Sequence, residues 1–542
     1  MKKLLALFFI LLLAFFLRFY ELGENPPSLT WDEASWGYNA YSLGIDGRDE
    51  FGRFLPLDYL ESFGDFKPPL YAYLDIIPVK IFGLNELAVR FPSAFFGVLT
   101  VLITFFLVRK LFKTNKNVEI IALASSFILA ISPWHIMLSR AAFEANVATF
   151  FIVTGIWLFL EAIEKRKWFL LFSISSFILS LYTFNTARVV VPLLILLLSF
   201  GFRSKLFKIK EASIVSVFLA VLLVLPTIKF LLTPQAGLRF KEVNIFSDIK
   251  VVQTANQEIL NDNNASWSKI IHNRRFAYGV EFLKHYFDNL SPSFLFIRGD
   301  GNPKFSTQDV GQLYIWELPF LLAGALFLFR KREGYWWIIP SWLLIGILPA
   351  ATARETPHAL RIETTLPTFQ IIVAYGLVII FNKLSSIKLK EKIKYLIYSA
   401  FLFLLVFNVF YYLHGYYAHY RREYSREWQY GYKDAIVYVQ KNEKDYKKII
   451  FTEELGRPYI YFLFHLKYDP KKFRNEAIIE REALGFVHVR SFGKYEFTKD
   501  FNSVKTDYKS LFINTPSGVP EGAEKLETFY LINGDPALVS YR

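Results

Sequence analysis

Eleven apolar runs, most of them long enough to cross the hydrocarbon core of a bilayer, decide what this chain of 542 residues can fold into. They cover approximately 4–17, 91–108, 118–135, 142–160, 168–184, 188–202, 211–232, 313–329, 335–352, 365–381 and 395–413. Backbone polar groups in hydrocarbon must be satisfied internally, so runs of this kind read as helices. Hydrophobic residues make up 53% of the chain and charged residues 20%, against about 45–50% and about 25% in soluble domains. A string of soluble domains is thereby excluded. The expected fold class is mainly α: a polytopic membrane helical bundle of about eleven transmembrane helices.

Met1-Lys2-Lys3 followed by Leu4–Leu17 has the outline of a signal peptide. No small-residue cleavage site follows, and Arg18, Tyr20 and Glu21 come at once, so the run reads as a retained first helix. Basic residues then alternate with the apolar runs. One side collects Lys2 and Lys3, Arg109 to Lys116, Lys165 to Lys167, Arg203 to Lys210, Arg330 to Arg332 and Lys383 to Lys394. The short turns on the other side hold Arg140, Arg188, Arg354 and Arg361. The positive-inside rule places the N-terminus in the cytoplasm and the C-terminus outside, in a plasma (inner) membrane. The net charge of +14 belongs to these loops and gives no reason to invoke nucleic acid.

Three longer segments fall outside the membrane: 21–90, 233–312 and 414–542. In the first, Phe66–Phe82 is apolar but interrupted by Pro68, Pro69 and Pro78, which reads as an interfacial segment. The second carries an amphipathic helix over Trp267–Leu290. The third mixes a helix at Trp428–Lys441 with strands at Lys447–Thr452, Phe486–Ser491 and Lys509–Asn514, and reads as a small extracytoplasmic α/β domain. The expected organisation is a membrane module over 1–413 and this domain over 414–542.

The chain has no cysteine, which excludes disulfides, thiolate metal sites and cysteine nucleophiles. It has no Walker loop, HExxH or GxSxG motif. Charges at helix mouths are the remaining signal, because ionisable groups there are costly. Asp32 and Glu33 follow the first apolar run; adjacent carboxylates raise one another's proton affinity and suit a general base. They would equally suit a helix start, with Asp32 as its cap. Lys67, Arg90, Arg140, Arg188, His358 and Arg361 form a cationic set on the same outer face. A phosphate would explain it, although snorkelling or pairing with Glu86, Glu144, Glu355 and Glu363 would too. His135 and Glu144, with Asp32, are candidates for a divalent metal or an acceptor, and no cofactor is certain; His135 also fits a plain interfacial hydrogen-bonding role. Arg274, Arg275, Arg298 and Asp300 read as surface charges or contacts to the soluble part of a donor.

Seven stretches together resemble a known family. They are WDEASWGYNAYSL at 31–43, FKPPLYAYL at 66–74, NELAVRFPSAFFGVLTV at 85–101, SPWHIMLSRAAFEANVATFF at 132–151, YTFNTARVVVPLL at 182–194, GNPKFSTQDVGQLYIWELPF at 301–320 and PHALRIETTLP at 357–367. In this order they resemble the GT-C membrane glycosyltransferases of the protein O-mannosyltransferase type, which include bacterial transferases acting on lipid A. The resemblance implies a seven-helix core, a polyprenyl-phosphate sugar as donor and an inverting transfer. It implies that Asp32 is the base with Glu33 beside it, and that Lys67, before the double proline, contacts the donor phosphate. The chain departs from the fungal and animal enzymes in having no room for a β-trefoil in 233–312. Its 414–542 segment lies outside the shared core, so the acceptor is not carried over.

The expected activity is transfer of a hexose or pentose from a polyprenyl-phosphate donor to a hydroxyl acceptor on the outer face. The acceptor would be a protein, a glycolipid or an envelope polymer. Asp32 would take the acceptor proton, and Lys67, Arg140, Arg188 and Arg361 would neutralise the departing phosphate. A transporter or flippase for lipid-linked sugars is the alternative. Its usual marks are midplane charges and inverted repeats, neither of which the sequence displays.

Overall fold

The computed structural model describes residues 2–482, 487–504 and 509–542, with the side chains of 238–241 and 503 left aside. In chain order its elements are α1 (Lys2–Phe19), α2 (Trp31–Asp46), β1 (Leu60–Ser62), β2 (Asp65–Lys67), α3 (Leu70–Phe82), α4 (Glu86–Leu111), α5 (Val118–Ile131) and α6 (Pro133–Ser139). There follow α7 (Glu144–Glu164), α8 (Phe169–Leu181), α9 (Ala187–Gly201), α10 (Arg203–Lys208), α11 (Lys210–Leu231), α12 (Pro234–Val243), α13 (Ile249–Asn261), α14 (Ser268–Ile271) and α15 (Arg274–Asp288). Next come α16 (Glu317–Lys331), α17 (Ile338–Ala351), α18 (Thr368–Ser386), α19 (Glu391–His414), α20 (Arg421–Glu423) and α21 (Tyr432–Asn442). The chain closes with β3 (Lys448–Thr452), α22 (Pro458–His465), α23 (Pro470–Glu476), β4 (Ile478–Arg481), β5 (Val487–Phe492), β6 (Tyr495–Thr498), β7 (Ser510–Asn514), β8 (Lys525–Tyr530) and β9 (Pro536–Tyr541).

Two compact units result. One comprises Met1–Arg18, Phe96–Ser139 and Glu144–Leu413; the other comprises Phe19–Phe95, Arg140–Phe143 and His414–Arg542. The first is helical, and each of the eleven apolar runs contains a helix. Among the described residues five helices are long and apolar enough to cross a membrane alone: α4, α7, α11, α18 and the continuous stretch Glu391–Glu423. A sixth arises if α5 and α6 count as one span bent by 57°. The bend falls at Pro133, which lacks the N–H a continuous helix needs there. Helices α8, α9 and α17 are shorter, at 13, 15 and 14 residues.

Small residues let the helices of this unit approach closely. A methyl group on Gly324 of α16 would stand 2.0 Å from the Ile372 carbonyl oxygen of α18, and one on Gly376 would stand 2.1 Å from that of Phe320. Serines of α8 satisfy themselves on α7: Ser173 donates to the Gly155 carbonyl at 2.7 Å and Ser176 to that of Phe151 at 2.8 Å. Around these contacts lies an apolar core that includes Leu107, Leu111, Ile152, Leu194, Ile338 and Trp342.

The second unit joins the first outer segment to the C-terminal domain. Seven strands form one mixed sheet in the order β4-β5-β6-β3-β7-β9-β8. β3 is its centre, parallel to both β6 and β7. Its sequence KIIFT is buried from Ile449 onward, as a strand covered on both faces requires. The expected strands at 447–452, 486–491 and 509–514 correspond to β3, β5 and β7, with Phe486 outside the described residues. After β3 the chain forms α22, which packs on α2. Gly37 permits that contact, since a Cβ there would fall 2.6 Å from the Phe464 ring.

Candidate active site

Helix α2 starts at a capping box. Thr30 accepts the Glu33 N–H at 3.2 Å, and the Glu33 carboxylate accepts the Thr30 N–H at 2.9 Å. The cap is therefore Thr30 and not Asp32, a correction that the T-x-x-E spacing of residues 30–33 already encodes. Asp32 is left in the first turn, where the helix dipole favours its charge. Lys67 ends β2, paired across the hairpin with Leu60, immediately before the two prolines that precede α3.

Asp32 Oδ1 and Lys67 Nζ form an ion pair. The Asp32 side chain is 49% exposed and that of Lys67 only 9%. The Lys67 ammonium also lies 5.2 Å from the Trp36 ring and 5.5 Å from that of Phe63. A largely desolvated cation is thus held between two aromatic faces and one accessible carboxylate. An anion reaching this point from solvent would meet both groups.

Glu33 has a different setting. Its side chain is 1% exposed and that of its partner Arg90 is fully buried, with Nε 2.9 Å from Oε1. Oε1 also accepts the Ala142 N–H at 3.0 Å. Arg90 donates through Nη1 to the carbonyls of Leu22 and Pro26 at 3.1 and 2.8 Å, and through Nη2 to Ser28 and to Glu33. All five of its N–H groups thereby meet protein acceptors. Arg140 is buried as well: Nε donates to the Tyr416 hydroxyl at 3.2 Å, and Nη2 donates to the Tyr20 and Asn25 carbonyls at 2.7 and 2.9 Å. Both arginines were expected at a phosphate, and here both donate to carbonyls of the 20–28 turn. An irregular buried turn needs those donors more than a surface would.

The first unit holds the remaining candidates. Arg188, at the start of α9, lies 5.4 Å from the Phe230 ring, and its buried Nη2 has no hydrogen-bond partner among the described residues. His358 donates its backbone N–H to Asn289 at 3.0 Å, and its ring packs on Phe305 at 5.0 Å. His358 Nδ1 also lacks a hydrogen bond there and stands 4.0 Å from Asp300. Burial pushes the Asp300 carboxyl up to about 6, although it accepts the N–H groups of Asn302 and Ala359. Burial and then the Arg361 charge hold the His358 imidazole well below its ordinary range. Arg361 donates to the Glu355 carbonyl at 3.0 Å.

His135 is buried, with Nδ1 2.6 Å from Arg18 Nη2. Arginine only donates, so Nδ1 is the acceptor. Glu144 opens α7, which packs on the turn Glu363–Thr365. Among the described residues no three His, Asp or Glu side chains are grouped to hold a metal ion.

Sequence reasoning missed Glu50, whose buried carboxyl takes hydrogen bonds from Asn39 at 3.2 Å and Tyr459 at 3.1 Å. Burial holds that carboxyl well above the usual carboxylate range. It also missed Asp75 in α3, fully buried with neither oxygen hydrogen-bonded among the described residues. Glu50 adjoins Asp49, the same adjacent-acid pattern that singles out Asp32 and Glu33, whereas no local pattern marks Asp75.

Comparison with known proteins agrees with this architecture. The fold is that of the GT-C glycosyltransferases, as the resemblance implied. ArnT from Cupriavidus metallidurans in the apo state superposes with a TM-score of 0.54 at 11% identity, covering 99% of this chain and 97% of that one. The same protein bound to undecaprenyl phosphate gives 0.53 at 12%, covering 98% and 97%. The Archaeoglobus fulgidus oligosaccharyltransferase tethered to an acceptor peptide gives 0.52 at 13%, covering 85% of this chain and 63% of that one. In sequence, residues 66–230 match the family model of dolichyl-phosphate-mannose-protein mannosyltransferases. An uncharacterized protein of Aquifex aeolicus (strain VF5) is 34% identical over 172 residues, 31% of this chain and 32% of its own. The putative mannosyltransferase YkcB of Bacillus subtilis (strain 168) is 27% identical over 186 residues, 34% of this chain and 24% of its own. The match spans about a third or less of the length of these curated relatives.

Proposed function

We propose that this chain is a membrane glycosyltransferase that moves a sugar from a polyprenyl-phosphate donor to an acceptor hydroxyl, with inversion at the anomeric carbon. One observation carries the reading: an accessible carboxylate, Asp32, rests against a buried ammonium, Lys67. The chain that holds this pair has the fold of ArnT, a protein captured with undecaprenyl phosphate.

In the proposed reaction the donor phosphate takes Lys67 from Asp32. The cation then serves the anion, and the carboxylate becomes available to the acceptor. Asp32 accepts the hydroxyl proton while that oxygen bonds to the anomeric carbon from the face opposite the phosphate. The bond from carbon to phosphate oxygen breaks, and its electron pair leaves on the polyprenyl phosphate. Lys67 balances the charge gained by that oxygen, in surroundings where desolvation strengthens the attraction. Glu33, Arg90 and Arg140 are positioning residues in this scheme: they fix the turn and the helix start that present Asp32. The charges expected to meet phosphate in the other unit are Arg188, His358 and Arg361. Arg188 Nη2 and His358 Nδ1 make no hydrogen bond among the described residues.

Purified protein reconstituted with undecaprenyl-phosphate mannose and undecaprenyl-phosphate aminoarabinose tests the reading through release of free undecaprenyl phosphate. Removing a base costs roughly 10²–10⁴ in rate, so Asp32→Asn is expected to lose at least the lower figure. Near-wild-type release by that variant would remove Asp32 from the role.

A further inference from the structure

We propose that α14 and α15 present a lipid-binding face, seated in the bilayer leaflet beside α17, that takes acyl chains on an apolar stripe and anionic phospholipid headgroups on flanking cations. Phe276, Val280, Leu283 and Phe287 recur along α15 at the spacing of one helical face, and each is at least half exposed. Trp267, Ile270 and Ile271 extend the exposed apolar surface at α14. Lys269, Arg274, Arg275 and Lys284 lie exposed around it. A stripe of this kind, with aromatic residues and a basic border, is what an interfacial helix offers a membrane.

The position of α15 supplies the depth. Its opposite face packs on α17. His285 Nδ1 is 2.7 Å from the Ala353 carbonyl oxygen, just past the end of α17, and the Tyr286 hydroxyl donates to the Leu344 carbonyl at 2.9 Å. Leu344 precedes the last residue of α17, Ala351, by about two turns, so it lies about 10 Å down the helix. Leu344 is itself exposed, at 51%. The last turn of α15 therefore lies alongside an apolar helix surface at a depth where the surrounding medium is hydrocarbon and headgroup. The stripe continues that surface outward. Bilayer lipid is the occupant that matches both the continuity and the basic border.

The same helix ends at Asn289, whose side chain donates to the Thr356 hydroxyl at 3.2 Å and accepts the His358 N–H at 3.0 Å. Lipid on α15 would thus steady the loop that carries His358.

The absence of native cysteine makes the test direct. Single-cysteine variants Val280→Cys, Leu283→Cys and Phe287→Cys, spin-labelled in phosphatidylglycerol-containing proteoliposomes, are compared with Gln253→Cys and Gln257→Cys on the exposed polar side of α13. Labels on the stripe are expected to collide more with oxygen than with a water-soluble nickel chelate, and labels on α13 the reverse. Equal chelate access at both sets, or spectra showing the stripe immobilised under protein, would overturn the proposal. Should labelling disturb folding, the fluorescence difference between wild type and Trp267→Phe serves in its place. It is expected to fall about twofold or more in brominated phosphatidylglycerol, and an unchanged difference would overturn the proposal equally.

Discussion

Successive residues of an α-helix point about 100° apart, so Asp32 and Glu33 leave the start of α2 in different directions and meet different media. Glu33 accepts from Thr30, Arg90 and Ala142 in a dry interior, while Asp32 keeps half of its surface open beside Lys67. Breaking a buried, fully bonded pair leaves an uncompensated charge, at a cost of about 3–5 kcal/mol. Glu33→Ala and Arg90→Ala are therefore expected to lower the melting temperature of the detergent-solubilised protein steeply. Asp32→Asn, at a half-exposed carboxylate, should lower it less than either, through the ion pair that Lys67 loses. A stable Glu33→Ala with transfer lost would instead make Glu33 part of the chemistry. That Asp32 and Glu33 mark a special place was legible in the sequence, because two acids beside an apolar run are costly. Their division of labour was not, since it depends on residues 22–28 folding back over Arg90.

Asp300 carries a pH dependence at the same scale. Its carboxyl has a folded value of about 6 against an ordinary 3.8. A raised acid stabilises the folded loop below the ordinary value, and that contribution is lost as pH rises through the folded one. Amide protection in the segment 298–307, corrected for intrinsic exchange, is expected to fall between about pH 4 and about pH 6, and Asp300→Asn should flatten that slope. His358 acts in the opposite sense: its depressed value gives stability that is present above about pH 6.5 and lost as pH falls through the folded value. A pH slope in Asp300→Asn unchanged from wild type would contradict the assignment.

At the scale of elements, the apolar runs located the helices, and their breaks came from chemistry that local patterns hold only in part. The stretch 267–290, read as one helix, is two, because the Asn273 side chain accepts the N–H groups of Arg275 and Phe276 and starts α15 afresh. Pro133 ends one axis and begins another. Strands β4, β6, β8 and β9 went unread because β4, β6 and β8 intersperse charged residues among the apolar ones and β9 opens on a proline. The fit of α16 on α18 was not legible at all, since a glycine among apolar residues shows nothing of what faces it. Gly324→Ala would force a methyl group onto a backbone carbonyl and is expected to destabilise by about 1–3 kcal/mol. Gly279→Ala in α15, where nothing lies within 4 Å of an added Cβ, should stabilise by about 0.5–1 kcal/mol. Equal thermal shifts for the two variants would contradict the close packing.

At the scale of the molecule, the first outer segment and the C-terminal domain share one compact unit. Their contacts join residues some four hundred positions apart: Tyr461 to the Leu29 carbonyl, Tyr459 to Glu50, Arg481 to Glu61 and Val487 to Phe63. No periodicity in a single sequence announces such pairings, which is why 414–542 read only as a separate α/β domain. The hairpin that ends in Lys67 is held by Arg481 at Glu61 and by Val487 at Phe63, and in the proposed reaction that lysine is shared between Asp32 and a lipid phosphate. Titrating undecaprenyl phosphate into the purified wild type, Asp32→Asn and Lys67→Gln measures the sharing. Asp32→Asn is expected to bind several-fold more tightly, because the competing carboxylate is gone, and Lys67→Gln about tenfold more weakly, equivalent to about 1.4 kcal/mol. Unchanged or weaker binding by Asp32→Asn, or wild-type binding by Lys67→Gln, would contradict it.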